Sequence, residues 1–136
     1  MARLLALDIG KKRCGIAVSD PLQIIANGLT TVDSKDLISF LKKYFEQENI
    51  EKVIVGMPKN LKNEDTHGTS IVNEFLEKFK THFPQMPIIT IDERFTSKLA
   101  FQSMIDNGMK KKDRQNKALV DEISATIILK DFMETL

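Results

Sequence analysis

Cysteine is nearly absent from this chain: Cys14 stands alone. A single thiol excludes an internal disulfide framework and any multi-cysteine metal centre. Histidine is almost as scarce, with only His67 and His82. No local motif sets either imidazole beside the thiol, so a cysteine–histidine nucleophile has no support. Cys14 is expected to be a small core residue and both histidines to lie at the surface. Long apolar runs are missing too, and none approaches the ~20 residues of a membrane span. The opening Met1-Ala2-Arg3-Leu4 runs straight into a strand pattern, so no signal peptide is expected. Repeats and low-complexity tracts are lacking, and the expected location is cytoplasmic. Charge of one sign is not in excess: the net charge is +1, which does not announce a nucleic-acid binder in bulk.

What is present suffices for one core. Of 136 residues, 42% are hydrophobic and 29% charged, which predicts a single domain over 1–136 with a well-solvated surface. The continuous apolar run from Arg3 to Ile9 reads as a strand buried on both faces. Cys14 to Ser19 reads as a second. The short link Gly10-Lys11-Lys12-Arg13 makes the two antiparallel. Pro21 breaks pairing, and Leu29 to Val32 is a short third strand near an edge. Asp33 or Ser34 is positioned to cap a helix whose stripe is Leu37, Phe40, Leu41, Tyr44 and Phe45. Val53-Ile54-Val55 is a buried fourth strand. A polar loop over 57–68 leads to a second helical stripe at Ile71, Val72, Phe75, Leu76 and Phe79. Ile88 to Ile91 is the fifth strand. Helices are predicted from Thr96 to Asn107, and from near Lys117 to the C-terminus. Antiparallel strands first and strand–helix–strand units later give an α/β architecture: a mixed five-stranded sheet with helices on both faces.

Three carboxylates stand where solvated acids are not expected. Asp8 ends the first strand, Glu93 follows the fifth beside Asp92, and Asp121 lies in the last helix. Asp121, Ser124, Ala125 and Ile128 share one small, largely apolar helix face, which suggests close contact with the sheet. An ionised carboxylate buried there needs a cation or hydrogen-bond donors. Singly, each acid has an ordinary reading: Asp92 or Glu93 caps the next segment, and Asp121 pairs with a lysine. Converging, they specify a hard cation with oxygen ligands, Mg²⁺ or Mn²⁺. Paired ions of that kind activate water for phosphodiester cleavage. Two basic clusters, Lys11-Lys12-Arg13 and Lys110-Lys111-Lys112 with Arg114 and Lys117, are either solvated loops or phosphate contacts.

These residues resemble a known family. Leu7-Asp8-Ile9-Gly10-Lys11-Lys12-Arg13-Cys14-Gly15-Ile16-Ala17-Val18-Ser19-Asp20 is similar to the opening motif of the YqgF (RuvX) family. Val55-Gly56-Met57-Pro58 resembles its second motif, and Asp92-Glu93-Arg94-Phe95-Thr96-Ser97 its third. Lys117 to Ala125 resembles its fourth. The four occur in order across the whole chain. The resemblance implies a ribonuclease H-like fold and a nuclease that matures the 5′ end of pre-16S ribosomal RNA in ribosome biogenesis. Asp8, Glu93 and Asp121 would be its catalytic, metal-binding acids. Lys11, Lys12, Arg13, Arg94, Lys110, Lys111, Lys112, Arg114 and Lys117 are the candidate nucleic-acid contacts, and a monomer or weak homodimer is expected. Three alternatives stay open. A Holliday junction resolvase would cut four-way DNA as a dimer. A ribosome-assembly factor would bind RNA without cutting it. A sugar-kinase or actin-like ATPase shares the strand–turn–strand opening but needs two such domains.

Overall fold

The run Leu4-Leu5-Ala6-Leu7 offers water no polar face, and all four residues are fully buried at the centre of a five-stranded sheet. The computed structural model describes residues 2–57, 67–92 and 117–136. The predicted helix from Thr96 to Asn107 and most of the second basic cluster lie outside them. The strands are β1 (Arg3–Ile9), β2 (Arg13–Ser19), β3 (Ala26–Asp33), β4 (Ile50–Met57) and β5 (Ile88–Asp92), in the order β3-β2-β1-β4-β5. The hairpin strands β1 and β2 pair antiparallel, as do β2 and β3, whereas β4 runs parallel to both β1 and β5. The mixed sheet predicted from loop lengths is therefore observed. The third strand is longer than Leu29–Val32 and forms one edge.

Strand alternation sorts the core into two layers. Leu5, Leu7, Ile9, Cys14, Ile16, Val18, Val53 and Val55 point to one face. There they meet helices α1 (Leu37–Gln47) and α2 (His67–His82). Leu37 and Leu41 of α1, with Val72, Phe75 and Phe79 of α2, supply the buried part of the two predicted stripes. Phe79 is fully buried, with ring centroids 5.0 Å from Phe83 and 5.8 Å from Phe75. On the other face, Leu4, Ala6, Ala17 and Ile54 meet Ala125, Ile128 and Leu129 of helix α3 (Lys117–Met133). Cys14 is buried, and His82 is exposed on the last turn of α2, as expected. His67 is a correction: it opens α2 instead of belonging to the polar loop. No described helix is long and apolar enough to cross a membrane.

The capping expectation also needs correction. A 3-10 turn (Ser34–Asp36) precedes α1, and neither Asp33 nor Asp36 makes a side-chain cap bond. Ser34 is engaged elsewhere. Its hydroxyl donates to the Gly10 carbonyl at 2.7 Å, and its backbone N–H donates to the Lys12 carbonyl at 2.9 Å. A hydroxyl that satisfies the β1–β2 turn cannot also serve the helix end, and the turn is fixed from below.

The β2–β3 connection is organised by one carboxylate. Asp20 accepts hydrogen bonds from the backbone N–H groups of Leu22, Ile24 and Ile25, at 3.1, 2.7 and 2.7 Å. It thereby holds Gln23 in a left-handed conformation at φ 58°. These amides, that of Ile25 above all, hold the Asp20 carboxyl below the usual carboxylate range. The ionised form is the one the folded loop prefers. Its stabilisation is complete above the ordinary aspartate pKa and is lost as pH falls through the lowered one. In an NMR titration the amide signals of Leu22, Ile24 and Ile25 should therefore move together, at a lower pH than a free aspartate titrates. Movement at the ordinary pH would show that the carboxylate does not order the loop.

Candidate active site

Asp8 has the parity of Leu4 and Ala6, so it belongs to the face of the sheet covered by α3. Directly opposite it on β2 is Gly15. Residues so paired lie about 5 Å apart. Gly15 is where α3 comes down: a Cβ built there would overlap the carbonyl oxygen of Asp121. The absent side chain thus lets the helix backbone rest on the strand next to Asp8. This is the close contact that the small face at Ser124 and Ala125 suggested, and both of those residues are buried. Asp8 and Asp121, 113 positions apart in the sequence, are brought to the same residue, Gly15.

Arg13 shares the parity of Gly15 and Ala17. Its Nε donates to Asp121 Oδ2 at 2.9 Å, with the two side chains 34% and 25% exposed. The ordinary reading of Asp121 as half of an ion pair is thus realised, with an arginine in place of a lysine. Lys11 and Lys12 are exposed on the turn beside it. Removing the arginine leaves a half-buried carboxylate without this partner. Arg13→Ala is expected to cost roughly 1–2 kcal/mol, between the values for surface and buried pairs. Urea denaturation measures it, and a cost within error of zero would show that water replaces the guanidinium.

Cys14, one residue further along β2, points to the opposite face. Burial pushes its thiol pKa up and outweighs the hydrogen bonds with Ser34 and Gly10 that lower it; the Asp8 and Asp121 charges add smaller pushes upward. The thiol is protonated and lies across the sheet from the carboxylates, so it is no candidate ligand for a cation held by them.

Among the described residues, no group of three or more His, Cys, Asp and Glu side chains is arranged to hold a metal ion. Glu93, Arg94, Lys110, Lys111, Lys112 and Arg114 lie outside the described residues, as does the side chain of Lys117. The described members of the acid set are therefore Asp8 and Asp121. Asp92 has the parity of Ile88, which packs on the α1 and α2 layer, so it belongs to the other face. Among the described residues, the two candidate ligands Asp8 and Asp121 both offer carboxylate oxygen, which suits a hard divalent cation and not a soft one.

A family model described as RuvX, Holliday junction resolvase, matches residues 2–135. The chain belongs to the RuvX family. The four-motif resemblance thus extends over nearly every residue. A RuvX relative from Flavobacterium psychrophilum, named "Putative pre-16S rRNA nuclease", is 58% identical over 133 residues, covering 98% of this chain and 97% of that protein. One of the same name from Bacteroides fragilis is 53% identical over 135 residues, with coverage of 99% and 98%. Among solved structures, fowlpox virus resolvase in complex with Holliday junction DNA aligns with a TM-score of 0.62 at 14% identity, over 98% of this chain and 97% of that one. Thermus thermophilus RuvC with a Holliday junction substrate aligns with a TM-score of 0.56 at 15% identity, over 99% and 95%. At such identities the likeness is one of fold. It places the RuvX sheet and its covering helices among the resolvase, ribonuclease H-like folds.

Two features of this RuvX site were not read from sequence. Gly15 reads from sequence as one more residue of the second strand and not as the floor under α3; its signal is the small face of the helix, which names no strand. The Arg13–Asp121 pair spans 108 residues and has no local signature.

Proposed function

We propose that this RuvX protein is a cytoplasmic, metal-dependent nuclease that cleaves structured RNA and matures the 5′ end of pre-16S ribosomal RNA. The observation that carries the reading is the placement of Asp8 and Asp121 on one sheet face, at the residue where α3 touches β2. Relatives of nearly equal length that bear a pre-16S rRNA nuclease name support the choice of substrate.

Asp8, Asp121 and Glu93 would hold Mg²⁺ or Mn²⁺. Of the neighbouring acids Asp92 and Glu93, Asp92 takes the wrong parity for that face, which supports Glu93 as the third ligand. When bound, such ions supply Lewis-acid polarisation of water and of the scissile phosphate. The chain itself fixes the acids: Asp8 by a central strand with no freedom to shift, Asp121 by the helix seated on Gly15. Arg13 neutralises Asp121 and orients its carboxylate. Lys11 and Lys12, exposed on a turn that Ser34 holds, are placed to meet backbone phosphates. Arg94, Lys110, Lys111, Lys112, Arg114 and Lys117 are proposed to extend that contact.

The family description favours one second reading, a resolvase of four-way DNA acting as a dimer. Incubating the protein with precursor 16S RNA and, separately, with a four-way DNA junction, each with Mg²⁺ or Mn²⁺, decides between them. Metal-dependent cleavage of the RNA at its 5′ side is expected. Symmetric cutting of the junction with the RNA left whole would replace the first reading by the second.

A further inference from the structure

Among the described residues, the hydroxyl of Ser124 is the one buried side-chain polar atom that makes no hydrogen bond. The residue is 1% exposed, so bulk water does not serve it either. Native proteins leave few such groups, because an unpaired buried hydroxyl weighs against the fold. Its place on α3 shows what can pair with it. Ser124 lies three residues after Asp121, one turn along the same face. A helix turns by about 100° per residue, so Ser124 stands about 200° round the axis from Glu122. The Glu122 side chain lies over Gly28 of β3. Ser124 therefore turns the other way, toward β1 and β4. Its level along the strands is bracketed. Asp121 touches Gly15, the partner of Asp8, and Phe132 has its ring 5.6 Å from the ammonium of Lys52, the partner of Leu4. Ser124 thus falls at the Asp8 end of that span. Ala6, Ala17 and Ile54 present only hydrocarbon there, and the next residue of β4 with the parity of Ile54 is Gly56. The polar side chains at this end of the face are Asp8 and Arg13 on the strands and Asp121 above them, and Arg13 is already bonded to Asp121.

We propose that Ser124 is a positioning residue of the cation site of Asp8 and Asp121, its hydroxyl oxygen accepting a hydrogen bond from a water molecule that the ion carries. The proposal rests on the nuclease reading above and adds a residue to it. Mg²⁺ gives up water reluctantly and is commonly held by one or two carboxylates with several waters retained. Water polarised by a cation is a strong donor and needs acceptors around it. A serine hydroxyl accepts without adding a charge, and its own O–H remains to donate to a carboxylate. The hydroxyl then has the partner that its hydrocarbon neighbours do not supply. This also accounts for a polar residue on a helix face otherwise made of alanine, isoleucine and leucine. Groups that hold the outer hydration of a metal ion typically change its affinity 10–100-fold when removed.

The test compares the full chain with its Ser124→Ala variant. Mn²⁺ binding is followed by the EPR signal of the free ion, and stability by urea denaturation in EDTA. Alanine is the strongest helix former and nearly the same size as serine, so α3 keeps its place. In EDTA, Ser124→Ala is expected to be at least as stable as the parent, because it removes a buried hydroxyl without removing a hydrogen bond. It should bind Mn²⁺ about tenfold more weakly. Thr126→Ala is the control. That hydroxyl donates to the Glu122 carbonyl at 2.9 Å within the same helix, and its loss should leave Mn²⁺ affinity unchanged. Equal Mn²⁺ affinity in the parent and Ser124→Ala overturns the proposal and leaves the cation site standing. Equal weakening by Thr126→Ala overturns it too, by making the effect one of the whole helix. A loss of stability in EDTA does the same, by showing that the hydroxyl has a partner within the protein. A parent that binds no Mn²⁺ removes the cation site itself, and the proposal with it.

Discussion

Asp8→Asn is expected to abolish metal-dependent cleavage while leaving the fold intact. Asparagine keeps the size and planar shape of the side chain, so the central strand and its buried neighbours Leu7 and Ile9 need not move. What it loses is the charge. A neutral amide binds a hard divalent cation far more weakly than a carboxylate does. On the function proposed above, loss of the ion would remove several kcal/mol of transition-state stabilisation, a rate decrease of at least about 10³-fold. Calorimetric titration with Mn²⁺ should show the binding heat lost in the variant, and thermal denaturation should show that the variant still unfolds in one cooperative transition. A variant that still processes precursor RNA with Mg²⁺ or Mn²⁺ removes Asp8 from the mechanism and leaves an RNA-binding factor as the reading.

Gly15→Ala should be the most destabilising of the alanine substitutions at Gly10, Gly15 and Gly28. The new Cβ would meet the Asp121 carbonyl and the following peptide nitrogen, both backbone atoms of a helix, and neither can rotate away. Relief requires α3 to lift from β2. Overpacking of this kind costs about 1–3 kcal/mol, and contact with backbone places Gly15→Ala at the upper end. That corresponds to a fall in Tm of roughly 10 °C. Cleavage should fall further than stability does, because lifting the helix also moves Asp121 away from Asp8. Gly28→Ala is the internal comparison. There the added Cβ meets only the Glu122 side chain, with Oε1 at 2.5 Å and Cγ at 2.7 Å, and that side chain can change rotamer while the helix backbone stays in place. Its cost should stay below about 1 kcal/mol. Equal Tm losses in the two variants would show that α3 is not pinned by backbone contact at Gly15.

Short-range patterns carried most of the fold. The uninterrupted apolar run before Asp8 could only be a doubly covered strand, and the brief basic link after it could only be a hairpin. The stripes of α1 and α2 named their own buried faces. Asp121 was conspicuous because its neighbours were small and apolar. Competition and distance hid the rest. Ser34 has the chemistry of a helix cap, but the Gly10 carbonyl, 24 residues away in sequence, claims its hydroxyl. Arg13 looked like one more member of a basic turn until α3 brought a carboxylate to it. The bend after Asp20 was visible through Pro21, yet the three amides converging on one carboxylate depend on the exact path of the loop.

The contact between β2 and α3 also sets an order of events in folding. The Arg13–Asp121 bond closes a span of 108 residues, whereas the β1–β2 hairpin closes over a few. Local pairings form early, and long closures follow once enough surface is in place to offset their entropy. A chain with its hairpin formed but α3 undocked has Asp8 and lacks its counterpart. On the function proposed above, the ability to gather a cation would therefore be acquired late, and a partly folded chain would be held inactive by its own topology.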